Sequence, residues 1–577
     1  MLTFSRSRFR RAARIAATAA LAPVLALAPI LSLILGALIL AGLILAPPFA
    51  ASARGQSRAS TPNAGARVAT APPATTAATT PATNADQSGQ QPASLADSAS
   101  PTNERILLVL PFDNRTGQFS LDWMREAAAE LLNSRFASAG FAPLTREDRM
   151  YALDHLGLPQ GFQPSRASSI KLAQTLDADQ IVVGSFSMDG SDLVAEAQLV
   201  DVPHLRMTEP VSSRGKLTSM IAIFDSLAWK LTRELDPGSN VGEQTFVAAG
   251  ASLRLDAFEQ YIRGITDPDQ SERLAHLESA VKLSPDFSPA WMALGREEYA
   301  TQEYDKAAGA FAKVDRNGPD GLEAGFYRGL SLLFSGDYAQ AEQSFAGVAR
   351  ILPLAEVLNN QGVALSREGR DGTALFVRAA AADPTTADYH FNLAVSLKQH
   401  GNSTGAVSEI KECIKLHPGD EEAQSLLDAW TTPAAPQPTV ANAALSAPAA
   451  ESNPDPLERI ARTFDAAAFR QAAAVMDEMD AARLAALPAP ERARKLCAEA
   501  RDYLKRGLIL EAERLYQSAV AADPNSADAH AGLAEVRLRS GDTKAASDEV
   551  ALALKLAPSN AAALDLERRI AAKQGAK

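Results

Sequence analysis

From Ile15 to Ala53 the chain carries no charge, and Ile30–Leu45 (ILSLILGALILAGLIL) is almost wholly apolar. With Val24–Ala28 added, the run is long enough to cross a bilayer, which takes ~20 residues. A membrane helix over about 24–46 is expected. Arg6, Arg8, Arg10, Arg11 and Arg14 precede it and would hold that end in the cytoplasm, leaving the rest of the chain on the other side. Ala51-Ser52-Ala53 is a small-x-small cleavage pattern, so residues 1–53 read either as a retained signal-anchor or as a signal peptide removed after Ala53. Residues 54–103, rich in Ala, Thr, Pro and Ser, show no apolar periodicity and read as a flexible tether.

Residues 104–238 alternate between strand and helix patterns. Ile106–Phe112 is a short continuous apolar run ended by Asp113-Asn114, as for a buried strand. Leu121, Met124, Ala128, Leu131, Leu132 and Phe136 follow at helical spacing up to Gly140. Thr145 with Asp148 predicts a capping box. Gln180–Phe186 and Leu193–Val200 read as strands joined at Asp189-Gly190, and Met220–Leu231 closes the unit as a helix. A layered α/β domain is expected.

Beyond residue 250 the pattern is helical, with a fixed period. Pro285, Pro319 and Pro353 are 34 residues apart, as are Pro384 and Pro418, and Pro524 and Pro558. Trp291, Leu294, Gly295, Ala307, Phe311 and Pro319 reproduce the W-x2-L-G…A-x3-F…P pattern of tetratricopeptide repeats, whose period is 34. Gly329, Gly336, Ala341, Phe345 and Pro353 repeat it, and similar sets recur around Asn392–Pro418, Tyr503–Pro524 and Gly541–Pro558. Small residues belong where the two helices of a unit cross closely, and the large residue fills the space beside them. The chain is therefore identified as a tetratricopeptide-repeat protein, mainly α, with two α-solenoid stacks. The first spans 250–430 with about five repeats and a cap helix. The second spans 457–573, with one degenerate helical unit from Leu457, two repeats and a cap helix. An Ala/Pro linker, 431–456, lies between them. Two departures stand out. Pro353 to Pro384 is only 31 residues, and Arg273 sits where a small residue is usual.

Composition narrows the function. Of 577 residues 21% are charged, and the net charge is −12, or −17 once the five leading arginines are set aside. An acidic body argues against nucleic acid as a partner. The two cysteines, Cys413 and Cys497, fall on helices at positions suited to core thiols, although a disulfide between them stays open. No metalloprotease, Cys-x-x-Cys or nucleophile-elbow motif is present. Gly215-Lys216-Leu217-Thr218 ends like a phosphate loop but has Pro210 where the first glycine belongs. No catalytic, cofactor or metal site is expected.

Val109–Gly117 (VLPFDNRTG) and Leu176–Asp201 (LDADQIVVGSFSMDGSDLVAEAQLVD) resemble the small α/β domain of the TolB amino-terminal part and of CsgG- and FlgO-like envelope proteins. That resemblance implies a non-catalytic domain used in envelope assembly contacts. One binding constellation emerges in the repeats. Asn360 and Asn392 occupy matching positions on neighbouring first helices, which line the inner groove of such stacks, with Arg367 and Lys398 about two turns further on. Amides suit a peptide backbone and the cations suit a carboxylate. The competing reading is that the asparagines only cap and pack their helices. The function expected is a protein-binding scaffold of the bacterial cell envelope, in the inner membrane or periplasm. An accessory part of a secretion, lipoprotein or surface-assembly machine is the alternative, and a nucleotide-binding enzyme the least supported one.

Overall fold

The computed structural model describes residues 106–159, 165–432, 456–464, 475 and 479–575. The apolar run at 24–46, the tether at 54–103 and the linker residues 433–455 lie outside the described residues, and no described helix is long and apolar enough to cross a membrane.

The α/β unit is built on β1 (Ile106–Val109), β2 (Asp113–Asn114), β3 (Ala142–Pro143), β4 (Gln180–Asp189), β5 (Asp192–Asp201), β6 (Arg206–Met207) and β7 (Val211–Lys216). The path runs β3-β1-β4-β5-β6, with β2 on β4 and β7 on β5. β1 pairs parallel with β3 and β4, and β4–β5 is an antiparallel hairpin turned by Gly190 at φ 61. Four helices cover the sheet: α1 (Met124–Ala139), α2 (Arg146–His155), α3 (Arg166–Thr175) and α4 (Met220–Leu235). The side-chain alternation of a strand separates the two faces. Leu107 and Val109 enter the core under α1 and α4, while Leu108 and Leu110 enter the core under α2 and α3. The expected capping box forms, with the Thr145 and Asp148 side chains each bonded to the other's backbone N–H. Arg135 on α1 and Asp225 on α4 form a buried ion pair at 2.6 Å. Burial pushes the Asp225 carboxyl up to about 6 even with Arg135 drawing it down.

Helix α5 (Glu243–Gly250) leads into the first stack. Its hairpins are α6 (Leu255–Thr266) with α7 (Gln270–Leu283), α8 (Ser288–Ala300) with α9 (Tyr304–Lys313), α10 (Gly321–Ser335) with α11 (Tyr338–Ala349), α12 (Ala355–Arg367) with α13 (Thr373–Ala382), and α14 (Ala387–Gln399) with α15 (Ser403–Leu416). Helix α16 (Glu421–Thr431) ends it. In the second stack, α17 (Ala489–Lys505) pairs with α18 (Ile509–Ala522) and α19 (Ala527–Arg539) with α20 (Thr543–Leu556), followed by α21 (Ala561–Gly575). Inside the hairpins a small residue on the first helix meets a large one on the second. A Cβ on Gly295 would lie 2.8 Å from the Phe311 ring, on Gly329 2.6 Å from Phe345, and on Gly362 2.7 Å from Phe376. The short fourth unit loses two of its three missing residues between Gly362 and Phe376, which are fourteen apart against sixteen for Gly329 and Phe345, and α13 keeps 10 residues, as α9 does. Arg273 is tolerated because Glu297 on the neighbouring helix takes its guanidinium through two bonds of 2.9 Å.

The helix expected from Leu457 does not start there. Leu457–Phe464 has no helix or strand and lies along the first stack. Its apolar spacing suits a helix, but partners far away in sequence bind its backbone groups instead. Phe469 and Met476 fall outside the described residues. The stacks do not stand apart. Leu510 on α18 is buried in the α1/α4 core with Phe258 and Ile262 of α6, and Arg506, just past the end of α17, donates to the Asn317 carbonyl at 3.0 Å.

The glycine contacts give a paired prediction. Gly329→Ala is expected to lower the melting temperature, because overpacking costs ~1–3 kcal/mol and outweighs the gain in helix propensity of about 1 kcal/mol. Gly309→Ala on α9, where a Cβ meets nothing within 4 Å, is expected to raise it. Thermal denaturation of both variants checks the opposite signs.

Candidate peptide-binding groove

The first helices α10, α12 and α14, with α16, line one side of the first stack, and Leu457–Phe464 crosses them in reverse order. Three asparagines hold its backbone. Asn392 on α14 accepts from Arg459 N–H at 2.7 Å and donates to Arg459 C=O at 2.7 Å. Asn360 on α12 does the same for Ala461, at 2.9 and 2.8 Å. Asn359 adds a donor to Arg459 C=O at 3.0 Å and accepts from Asn392 at 2.8 Å. A side-chain amide is a peptide group in miniature, so each two-point bond reproduces one hydrogen-bonded pair of an antiparallel ladder. Residues i and i+2 of an extended chain point their polar groups the same way, ~7 Å apart, which suits two amides on adjacent helices. All three asparagines are 0% exposed.

Side chains fix the register. The Arg459 guanidinium lies 3.7 Å from the centre of the Phe391 ring and binds Asp388 at 3.0 Å, Asp420 at 2.5 and 2.9 Å, and Glu422 at 3.0 Å. Asp420 also caps α16, accepting from Ala423 N–H at 3.0 Å. Its bond to Arg459 holds the Asp420 carboxyl down at about 2, against the opposing effect of burial. Glu458 meets Ser366 and Arg367, whose guanidinium donates to the Glu458 carbonyl at 3.3 Å and lies 3.8 Å from its carboxylate. Ile460, Ala461 and Phe464 pack on the apolar cluster of the stack, with Phe464 tilted on Phe326 at 5.4 Å.

Family models described as tetratricopeptide repeats match residues 274–321 and 503–570. The helical hairpins within those two stretches match tetratricopeptide repeats. Similar solved structures include YrrB, "a TPR protein with an unusual peptide-binding site", at 17% identity, with 35% of this chain and 98% of that one covered and a TM-score of 0.27. MamA is similar at 13% identity, with 29% and 96% covered and a TM-score of 0.26. The LpoB C-terminal domain from Escherichia coli is similar at 20% identity, with 20% and 83% covered and a TM-score of 0.17. No curated protein sequence matches the chain.

Of the residues singled out in the repeats, Asn360, Asn392 and Arg367 all touch Leu457–Phe464. Lys398 does not. Its ammonium lies 5.6 Å from the Trp430 ring centre and 3.3 Å from Ser403 Oγ. Sequence reasoning missed Asn359, the carboxylates Asp388, Asp420 and Glu422, and the occupant itself. His390 and His530, at equivalent repeat positions, are structural. Each sets Nδ1 against a glutamate 19 residues on, at 2.7 and 2.6 Å, and Nε2 against the proline carbonyl six residues back, at 3.3 and 3.1 Å. Trp291 Nε1 makes the same backward bond, to Pro285 at 2.8 Å. Lys216 lies in β7 and binds Asp192 and Ser191, each at 2.6 Å. After Phe112 the loop closes on itself, with Asn114 accepting from the Thr116 N–H at 3.0 Å. Both cysteines are buried and free, and burial pushes Cys413 up to about 12 and Cys497 to about 11.

Asn392→Ala strands the Arg459 N–H and leaves the Arg459 C=O to Asn359 alone, and should cost ~1–3 kcal/mol in a denaturant melt. It should also speed tryptic cleavage at Arg459 and Arg462. Lys398→Ala, away from the groove, should change stability by less than ~0.5 kcal/mol and leave cleavage unchanged. A second expectation concerns acid. Asp420 is held below the ordinary ~3.9 of an aspartate, so its contribution is complete above about pH 4 and lost as pH falls toward 2. Amide exchange of Arg459 and Ala461, measured against amides in the core of α12 and α14, should accelerate across that window.

Proposed function

We propose that the chain is a non-catalytic protein-binding scaffold of the cell envelope, and that the first stack grips an extended segment of its partner. One observation carries this reading: Asn360 and Asn392 each hold both backbone groups of one residue in an extended chain, at 2.7–2.9 Å. Such bonds recognise a peptide whatever its sequence, while the acidic pocket around Arg459 adds selection. Tetratricopeptide repeats favour a scaffold over an enzyme. The envelope assignment rests on the apolar run at 24–46 and the arginines before it, with the body outside the cytoplasm. The α/β unit, Ile106–Leu235, would make assembly contacts. Support for that is the resemblance of Val109–Gly117 and Leu176–Asp201 to envelope domains.

Tyr327 lies in the cluster that packs Phe464, its hydroxyl meets the Phe464 backbone, and it therefore faces whatever fills the groove. A photo-crosslinking phenylalanine analogue placed there should capture a second protein in intact cells. The product should be recovered with the envelope fraction and should be reduced by Asn360→Ala. Crosslinks confined to the chain itself would count against the scaffold reading.

A further inference from the structure

The groove is filled by this chain, and the manner of filling specifies what else fits. Arg459 sits among three carboxylates with its plane near the Phe391 ring, an arrangement that uses the flat fork and stacking face of a guanidinium and that lysine cannot reproduce. Ala461, two residues on, has both backbone groups on buried Asn360, and its side chain meets the apolar cluster. Phe464, five residues on from Arg459, rests on Phe326. None of these contacts requires the segment to belong to the same chain. The segment contributes no helix or strand, and its leading residue Leu457 is 69% exposed. On release, the groove would expose amides and carboxylates that water can solvate, so an open groove carries no stranded buried polar groups.

We propose that Leu457–Phe464 is a built-in competitor. The partner segment that replaces it is an extended peptide bearing an arginine, a small residue two places on and an aromatic residue five places on. The inference rests on the reading of the groove as a peptide site and names the class of peptide. A covalently attached competitor acts at an effective concentration on the order of millimolar, so wild-type chain should bind such a peptide weakly. Its apparent affinity is reduced by the fraction of time the groove stands open.

The test uses the full chain and a fluorescent, end-blocked peptide of residues 455–465, read by anisotropy. A chain carrying Arg459→Glu and Phe464→Ala, which expels its own segment, should bind the peptide at least tenfold more tightly than wild type. Adding Asn360→Ala and Asn392→Ala should remove that gain, and a peptide with alanine in place of arginine should bind at least tenfold more weakly. Equal affinity for the wild-type and released chains overturns the competitor. So does absence of binding by a released chain whose circular dichroism and melting match wild type. Should the double variant not fold, Arg459→Lys keeps the charge but loses the fork; it too should bind more tightly than wild type, and no change overturns the proposal. A wild-type dimer by light scattering that becomes monomeric in Arg459→Glu would assign the segment to a second copy and also overturn it. A protein crosslinked from Tyr327 in cells, without peptide binding in vitro, would keep the groove as a protein site and remove this inference alone.

Discussion

The contact of a small residue with a large one inside each hairpin governs the rest of the architecture. Gly295 with Phe311, Gly329 with Phe345, Ala394 with Ile410, Ala500 with Tyr516 and Ala534 with Val550 are each sixteen residues apart, and Gly264 with Leu277 and Gly362 with Phe376 are shorter cases. The close approach lets two helix axes cross tightly and repeats the same crossing in every unit. It also sets which way each first helix faces. A residue two places before the small one lies about 200° around the helix, on the opposite face. Those positions are Ala293, Tyr327, Asn360 and Asn392 in the first stack. The packing that builds the hairpin thus presents the clamp. In the second stack the same positions hold Ala498 and Gly532, so it has no equivalent amides.

This geometry explains what can be read from sequence. The repeat period, the capping box and the α/β alternation are local or periodic, and the hairpin contacts lie within sixteen residues. Asn360 and Asn392 are legible for the same reason, being tied in register to Gly362 and Ala394. Arg367 is seven residues beyond Asn360, two turns on and on nearly the same face. Lys398 is only six beyond Asn392, which turns it by about a third of the helix away from the groove. The occupant is hidden because its bonds span up to 101 residues. Ile460 and Phe464 are four apart, a spacing that fits a helix as well as an apolar groove. The carboxylates of the arginine pocket look like ordinary helix-start acids, and they are also that. Asp420 caps α16 and binds Arg459 with the same side chain.

That double use stabilises the pocket. Acidic residues at helix starts are favourable before any ligand arrives, because the helix dipole and the free N–H groups hold their charge. Asp388 and Glu422 lie in the first turns of α14 and α16, and Asp420 at the cap. Three carboxylates can therefore face one site at tolerable cost, and a guanidinium that enters neutralises charge already held in place. The acidic body extends the same bias outward, favouring cationic segments over anionic ones.

The surrounding packing makes occupancy of the groove a local matter. The described residues run to Thr432 and resume at Pro456, and among them the second stack is anchored by residues outside Leu457–Phe464. Leu510 anchors that stack in the α/β core, Arg506 ties it to the Asp315–Asn317 turn, and Gly242 before α5 donates to buried Glu513 at 3.4 Å. Leu457–Phe464 forms no helix or strand, so its loss from the groove removes no secondary-structure element. The difference between a filled and an open groove then lies in the arginine pocket, the asparagine bonds to Arg459 and Ala461, the Glu458 contacts with Ser366 and Arg367, and the aromatic contact of Phe464. An external peptide can match each of these, so the balance can be shifted by a partner without unfolding the scaffold that presents them.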